Sequence, residues 1–309
     1  GPFLHIVISS RIRLARNLHK ATVPAFQNES AGHVVLERVR KAVEALNLQG
    51  KDKMYFYRLG ELPPLIKQIL LEKHLISREH TEDKANKGLL INADESVSIM
   101  INEEDHLRIQ VLLPGLQLNE SWQIANRIDD LLESQLEYAF HEKKGYLTSC
   151  PTNVGTGLRA SVMIHLPALV LTKQAARIFS TLTQLGLAVR GLYGEGTEAT
   201  GHIFQISNQI TLGQKETEII QNLTTVTRQI IEKEEETRKI LLKETPLQLA
   251  DRVGRAYGIL KNAAVLSSQE ALNLLSDIRL GLNLGILDID LENDKMNELM
   301  VSSQPAFIQ

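Results

Sequence analysis

The chain has 309 residues, of which 43% are hydrophobic and 23% are charged, values that are ordinary for a globular protein. Its formal net charge of −3 gives no general electrostatic case for binding nucleic acid or an anionic membrane. The single cysteine excludes an intramolecular disulfide framework and fits a reducing cytoplasm. We find no apolar run of bilayer length and no signal peptide, so we predict a cytoplasmic protein of one large or two modest domains.

A strand is predicted near the start of the chain, over residues 6–17. Alternation places Arg11 and Arg13 on one face of this strand and Ile12 and Leu14 on the other. Two neighbouring guanidinium groups can bind a phosphate in a bidentate manner, although the same pattern also fits a solvated edge strand. Because the sequence begins so close to this strand, we expect that an N-terminal element has been trimmed.

Hydrophobic periodicity predicts a mixed succession of helices and strands along the rest of the chain. Helices are predicted over about 31–48, the stretch after Pro64 up to 75, 119–140, 171–185 and 215–244; strands are predicted over 54–59, 88–92, 96–102, 107–111, 160–166, 187–191 and 202–208. His74 lies near the end of the second helix, where a cationic ring would interact favourably with the helix dipole, although a lone histidine at such a position is usually structural. The charged block from Glu232 to Arg238 indicates a solvated helix end.

Thr245-Pro246 ends the long helix and predicts a domain boundary. The segment beyond it is small and helical, with Ser267 and Glu270 spaced as a capping box. We therefore expect a first domain over residues 1–244 and a C-terminal helical domain over 245–309.

Three consecutive acids, Glu103, Glu104 and Asp105, interrupt two apolar strands. Such a run is commonly a solvated loop. Here it lies where an antiparallel sheet turns, and this position allows the side chains to project into a cleft.

The only cysteine, Cys150, opens a Pro/Asn/Gly turn that leads to Arg159 and a buried strand. Glycines suit a tight turn, and the hydroxyl and amide groups of this loop can meet phosphate oxygens. A lone cysteine is often an inert buried hydrophobe, but a neighbouring arginine favours the thiolate. A second glycine-rich stretch, residues 191–201, follows Arg190 and either carries Glu195 or Glu198 over a ligand or is a flexible connector.

Arginines and acids thus recur at strand ends and glycine loops. Five arginines can converge as a clamp for a polyphosphate, which phosphoryl transfer requires: Arg11, Arg13, Arg108, Arg159 and Arg190. The sequence has neither a P-loop nor the His-Arg-Asp signature of protein kinases. Carboxylates at Glu104 and Glu195, with a thiolate at Cys150, would bind a cation such as an arginine side chain, and a carboxylate could accept its proton during transfer.

Four separated motifs together resemble the catalytic domain of the phosphagen kinase (creatine/arginine kinase) family, in the family's order and over residues of about 6–240. They are Ser9-Ser-Arg-Ile-Arg13, Asn102-Glu-Glu-Asp-His-Leu-Arg108, Cys150-Pro-Thr-Asn-Val-Gly-Thr-Gly-Leu-Arg159 and Val189-Arg-Gly-Leu-Tyr-Gly-Glu195. The stretches Glu72-Lys-His-Leu-Ile-Ser77 and Asn208-Gln-Ile-Thr-Leu-Gly213 are more similar to the bacterial branch that acts on protein arginines. The resemblance implies an α+β, glutamine-synthetase-like catalytic domain with an antiparallel sheet flanked by helices, followed by a helical dimerisation or regulatory domain.

The resemblance also implies a role for each matched residue. The five arginines would hold the phosphates of ATP, and His74 would lie near the nucleotide. Glu104 and Glu195 would grip and deprotonate the guanidinium group, and Cys150 would contact it as a thiolate. Glu103 and Asp105 would touch Mg²⁺ only through water.

The implied activity is transfer of the γ-phosphoryl group of ATP to arginine side chains of proteins, which marks them for regulated proteolysis or inactivates a repressor. Small-guanidine kinases carry a large N-terminal domain that helps to enclose the substrate, whereas this sequence starts almost at the first catalytic strand. We therefore expect an open pocket, which fits an arginine that projects from a protein. Implied partners are a CtsR-like repressor, a McsA-like activator, a ClpC-type protease complex and a second copy of the chain. The alternatives are a kinase for free arginine or another small guanidine, and an inactive adaptor that binds phosphoarginine.

Overall fold

The computed structural model describes residues 1–82, 85–191 and 199–308. Its strands are β1 (Val7–Arg16), β2 (Met54–Arg58), β3 (Gly88–Asn92), β4 (Val97–Ile101), β5 (Leu107–Pro114), β6 (Phe140–His141), β7 (Gly145–Tyr146), β8 (Leu158–His165), β9 (Leu187–Gly191) and β10 (Ile203–Asn208). Its helices are α1 (Glu29–Ala45), α2 (Pro64–Glu72), α3 (Leu118–Glu133), α4 (Pro167–Leu171), α5 (Ala175–Gln184), α6 (Glu216–Glu244), α7 (Pro246–Asn262), α8 (Ser268–Asn283), α9 (Asn293–Ser302) and α10 (Pro305–Ile308). The predicted α+β class is confirmed.

Eight of these strands form one antiparallel sheet in the order β2-β3-β4-β5-β1-β8-β10-β9, and β6 pairs with β7 as a separate hairpin. β1 is central, because it is hydrogen-bonded to β5 on one side and to β8 on the other. One face of the sheet is apolar: Ile12, Ile109 and Val162 are fully buried there, in the main core that also includes α1, α3 and α6. The predicted alternation in β1 is confirmed, since Ile12 and Leu14 face this core.

The opposite face of the sheet is covered only in part. A small cluster that includes Leu75, Leu89 and Met100 covers the end at β3 and β4. A second cluster joins Met163 and Ile203 of the sheet to the C-terminal helices through the following side chains: Ala256, Leu272, Leu275, Ile278, Met296 and Met300. The C-terminal helices therefore share a core with the sheet, and polar side chains lie between the two clusters.

Several predicted helix ends differ from the observed ones. α3 ends at Glu133 instead of residue 140, because residues 137–139 pair with the chain beyond β1: His19 N donates to Glu137 O and Ala139 N donates to Asn17 O. The helix predicted over 171–185 corresponds to α5, which begins at Ala175, because α4 ends at Leu171 and Lys173 lies between the two helices at a φ of 58°. A change from helical to extended periodicity is hard to detect where both patterns bury apolar residues.

The prediction of a solvated helix end over residues 232–238 is wrong. The helix continues to Glu244, and within it Glu234 is 0% and Arg238 3% exposed. The two carboxylate oxygens of Glu234 accept hydrogen bonds from the backbone of Ala168 (3.0 Å) and Leu169 (2.9 Å), and one also accepts from Arg238 Nε (2.8 Å). Glu234 thus satisfies N–H groups at the start of α4, which have no partner within that helix.

The start of α8 agrees with the predicted cap, since Ser267 Oγ accepts a hydrogen bond from Glu270 N at 3.2 Å. No helix in the described ranges is both long and apolar enough to span a membrane.

Candidate active site

The register of the sheet brings all five predicted arginines to its polar face. Residues paired in an antiparallel sheet project to the same side, as do residues two apart in one strand. Arg13 is paired with Gln110 and with Arg159, and Arg108 is two residues from Gln110. On the other side, Arg190 is paired with Gln205 of β10.

Arg11 is joined to the same surface by hydrogen bonds, with Nη2 donating to Gln205 Oε1 at 2.6 Å and Nε donating to Ser161 Oγ at 3.3 Å. Gln205 and Ser161 are site residues that sequence reasoning missed. The cluster spans β5, β1, β8 and β9.

Mutual repulsion is the main electrostatic feature of this cluster. Burial, together with the charges of Arg108 and Arg159, lowers the pKa of Arg11 to about 10. Burial and the neighbouring arginines also lower the pKa of Arg13, whose buried Nε has no hydrogen-bond partner among the described residues. A buried charge of one sign is costly until it is paired, so the cluster is suited to a polyanion such as the phosphates of ATP.

Two adjacent glutamates follow β4 and have opposite environments. The Glu103 side chain is 2% exposed and forms an ion pair with Arg108 at 2.6 Å. Although burial raises the pKa of Glu103, the Arg108 charge and hydrogen bonds from Ser77 and the Glu104 backbone lower it to about 2. Glu104 is exposed, and desolvation and the charges of Asp105 and Glu103 raise its pKa. A carboxylate with a raised pKa is a better proton acceptor for catalysis.

Asp105 lies beneath the cysteine loop and is 3% exposed. Its Oδ1 accepts hydrogen bonds from Asn17 Nδ2 and from the backbone N of Ser149, both at 2.6 Å. Asp105 therefore connects the end of β1 to the residue that precedes Cys150, a contact that sequence reasoning missed. Its contact with a metal through water stays a prediction.

The loop from Cys150 to Arg159 is held by a buried arginine. Arg16 is 1% exposed, pairs with Asp129 at 2.6 Å and donates to Thr156 O at 2.9 Å. Gly157 has a φ of 64°, and a Cβ there would come within 2.5 Å of Arg16 Nη1, so only glycine fits. Sequence reasoning did not identify Arg16 and Asp129 as residues that hold this loop, because the two are far apart in the sequence and no local pattern indicates that they pair.

Cys150 is half-buried, and its Sγ lies 3.0 Å from Thr152 Oγ1. Burial and the charge of Arg190 lower the pKa of Arg159, and the nearby side chains of Cys150 and Glu104 oppose this shift. The cysteine and the exposed glutamate thus lie beside the arginine cluster, and a cation between them would be next to a bound polyphosphate.

His74 also lies near the cluster, and the idea of a cationic ring that stabilises the α2 dipole is wrong. Burial and the charge of Arg11 lower the pKa of His74 to about 4, so its ring is neutral at pH 7. Its backbone O accepts a hydrogen bond from Gln110 Nε2 at 2.7 Å. The backbone φ of 59° at His74 marks the end of the helix, two residues beyond Glu72.

Two further predictions concern the metal and the second base. Glu195 and Glu198 lie outside the described residues. In the described ranges, no group of three or more His, Cys, Asp or Glu side chains could hold a metal ion.

Comparisons with known proteins agree with this geometry. The family model for the ATP:guanido phosphotransferase C-terminal catalytic domain matches residues 34–237. The model for the protein-arginine kinase McsB C-terminal domain matches residues 246–309.

Two similar relatives are named protein-arginine kinase. One, from Symbiobacterium thermophilum, is 55% identical over 100% of this chain and 88% of its own length. The other, from Moorella thermoacetica, is 54% identical with the same coverage of both chains.

Two solved structures are also similar. A lombricine kinase has a TM-score of 0.67 and 27% identity over 75% of this chain and 67% of its own. A duplicated taurocyamine kinase from Schistosoma mansoni, with bound transition-state analogue components, has a TM-score of 0.68 and 25% identity over 81% of this chain and 37% of its own.

Proposed function

We infer that this chain, which belongs to the ATP:guanido phosphotransferase family, is a protein-arginine kinase that transfers the γ-phosphoryl group of ATP to arginine side chains of proteins. The observation that carries this proposal is the placement of Glu104 and Cys150 beside a cluster of arginines that repel one another. Glu104 and Cys150 suit a guanidinium cation, and the adjoining arginine cluster suits a polyphosphate.

The arginine cluster would bind and orient the phosphates of ATP. The buried Arg13 Nε has no partner in the described part of the chain, and a phosphate oxygen would supply one. The negative charge of the phosphates would be neutralised mainly by four arginines, Arg11, Arg13, Arg159 and Arg190. Arg108 also forms an ion pair with Glu103. Since phosphoryl transfer depends mainly on positioning and charge stabilisation, such a clamp provides most of what the reaction needs.

Glu104 would prepare the arginine substrate. A protonated guanidinium has no free lone pair for attack on phosphorus, and its pKa in water is above about 12. Glu104 would hold the guanidinium by charge and accept its proton while the N–P bond forms and the bond from the γ-phosphorus to the bridging oxygen breaks, which releases ADP. Cys150 would contact the same guanidinium group as a thiolate. Glu195 would act as the second carboxylate, as the matched motif implies.

Mg²⁺ would neutralise the charge of the phosphates that bind it. We expect Glu103 to contact its water shell, and the hydrogen bond from Arg108 to the Glu103 carboxylate within the cluster supports this role. Asp105 has less freedom to do so, since Oδ1 is occupied by Asn17 and Ser149.

A kinase for a small guanidine is the second candidate. Lombricine and taurocyamine kinases share the fold at 25–27% identity, whereas the two protein-arginine kinases are 54–55% identical to this chain. An inactive phosphoarginine-binding adaptor is less well supported, because such a module has no need for an exposed carboxylate with a raised pKa.

The cellular setting is also part of this proposal. We expect cytoplasmic action, phosphorylation of a CtsR-like repressor and of proteins sent to a ClpC-type protease complex, and stimulation by a McsA-like activator. The C-terminal helices would form a homodimer. The free Cys150 thiol supports a reducing compartment, since the proposed chemistry needs it unoxidised.

The test is incubation of the purified chain with labelled ATP, Mg²⁺ and an unfolded arginine-rich protein, with free arginine in a parallel reaction. We expect acid-labile label on arginine residues of the protein. Label on free arginine alone would support the small-guanidine kinase. No label in either reaction, with normal ATP binding and added activator, would support the adaptor.

A further inference from the structure

A groove of about 250 Å³ lies beside the Gly155–Thr156 end of the cysteine loop. Its apolar lining includes Phe140, Tyr146 and Leu212, and it is here called the Phe140 groove. The rings of Phe140 and Tyr146 pack edge to face with centroids 5.2 Å apart. Phe140 is nevertheless 55% exposed and Leu212 56% exposed, which makes this an open apolar surface.

The groove is attached directly to the cysteine loop. Thr211, next to Leu212, donates from Oγ1 to the backbone O of Thr152 at 2.9 Å and of Val154 at 2.7 Å. Thr152 is two residues from Cys150, so their Cα atoms are at most about 7 Å apart. A chain that reaches the cysteine would pass close to this groove.

The rim of the groove is basic. Lys143, Lys144 and Lys215 line it, whereas Glu216 is the one acid among its described lining residues. An occupant with acidic side chains is therefore favoured over one with additional basic residues.

We propose that the Phe140 groove binds the segment of a substrate protein next to the arginine that is phosphorylated, and selects an extended segment with a bulky apolar and an acidic side chain. This proposal rests on the proposed function, because only a protein substrate brings a chain with its arginine. Three to five extended residues span roughly 10–18 Å, which is the reach that the proposal requires between the arginine and the apolar side chain. Anchoring an apolar side chain there lowers the KM for suitable segments.

The test compares two peptides, each with one arginine and two glutamates, which differ only in leucine or serine at positions three and four on both sides of the arginine. We expect the wild-type KM for the leucine peptide to be lower by roughly five- to tenfold, as the burial of one side chain allows. Leu212→Ser should raise the KM for the leucine peptide to that of the serine peptide. Val265→Ser, at an 87% exposed position between α7 and α8, is the matched control and should keep the preference.

Four outcomes would overturn the proposal. Equal KM values for the two peptides in the wild type would remove the groove as a selecting surface while leaving the kinase activity in place. Survival of the preference for the leucine peptide in Leu212→Ser would also exclude the groove as a selecting surface. Loss of self-association in that variant, with unchanged peptide kinetics, would assign the surface to contact with a second copy of the chain. Absence of phosphoarginine on both peptides, with free arginine phosphorylated, would overturn the proposed function as well.

Discussion

Single residues in this site gain their roles from their immediate surroundings. Glu103 and Glu104 are neighbours in the chain, yet Arg108 helps to lower the pKa of Glu103 to about 2, whereas desolvation and nearby acids raise that of Glu104. The first carboxylate is therefore fixed as an ion-pair partner, and the second is available to exchange a proton.

Glu104→Gln should slow phosphoryl transfer strongly while keeping ATP binding. The amide cannot accept the guanidinium proton, so we expect kcat to fall by roughly 10²- to 10⁴-fold. ATP affinity, measured by calorimetry, should be unchanged because the phosphates bind to the arginines. Wild-type turnover in this variant would exclude Glu104 as the base.

The pH profile gives a second readout of the same residue. The base must be ionised, so kcat should fall as the pH falls through the pKa of Glu104, which lies above its ordinary value of 4.5. Glu79 contributes to the raised pKa, and Glu79→Gln should therefore keep activity and move the acid limb to lower pH.

Arg13→Met should separate stability from function. Burial and three like charges lower the pKa of Arg13, so its replacement should stabilise the ATP-free protein, by about 1 kcal/mol. At an ATP concentration of about 100 times Kd, the wild type should gain about 2.7 kcal/mol of stability, and the variant should lose most of that gain. Thermal unfolding with and without ATP measures both effects, with Arg177→Met on the exposed side of α5 as the control.

At the scale of elements, β1 presents residues of the site, and α6 stabilises the fold through a buried charged pair. β1 alternates between buried and partly exposed side chains from Ser10 to Leu14, so one face enters the core and the other presents Arg11 and Arg13. α6 has 29 residues and buries a stripe that includes the charged pair Glu234 and Arg238. The pair is tolerated because Glu234 also caps α4.

Glu234→Gln should destabilise the fold by about 3–5 kcal/mol, because Arg238 would stay buried without its counter-charge. Glu236→Gln is the matched control, since Glu236 lies on the same helix with a side chain that is 64% exposed. Its effect should stay within about 0.5 kcal/mol. Denaturant unfolding of both variants measures the difference, and equal midpoints would contradict the structural role of Glu234.

At the scale of the whole molecule, the C-terminal helices and the sheet are joined by a polar link as well as by a shared core. Ser276 Oγ of α8 lies 2.8 Å from His165 Nε2 and 2.9 Å from His202 Nδ1. Burial and the charges of Arg279, Arg238 and His202 lower the pKa of His165, so the junction requires a neutral ring.

The junction should weaken in mild acid. A histidine whose pKa is lowered by folding binds its proton only after unfolding, so stability is present above the unfolded pKa of about 6.5 and is lost as the pH falls below it. The loss should be about 1.4 kcal/mol per pH unit for each such histidine. His165→Gln should reduce the slope of unfolding free energy between pH 6.5 and pH 5, whereas His33→Gln, on the exposed side of α1, should not.

The sequence by itself determined the features that depend on local periodicity and on motifs. The alternation in β1, the hairpin of β3 and β4 and the start of α7 at Pro246 follow from patterns within a few residues. The matched motifs also identified the residues that the sheet register brings together, Arg11, Arg13, Arg108, Arg159 and Arg190, and those beside them, Glu104 and Cys150.

Only the tertiary structure decided the state of the charged and titratable groups between these motifs. Glu234 meets α4 across 66 residues, and Arg16 meets Asp129 across 113, so neither partner is visible in a local pattern. His74 is neutral because of burial and Arg11, whereas its position in the sequence indicated a cation. The reason is physical: the spacing of apolar residues belongs to the chain, but burial and electrostatic potential belong to the packed molecule.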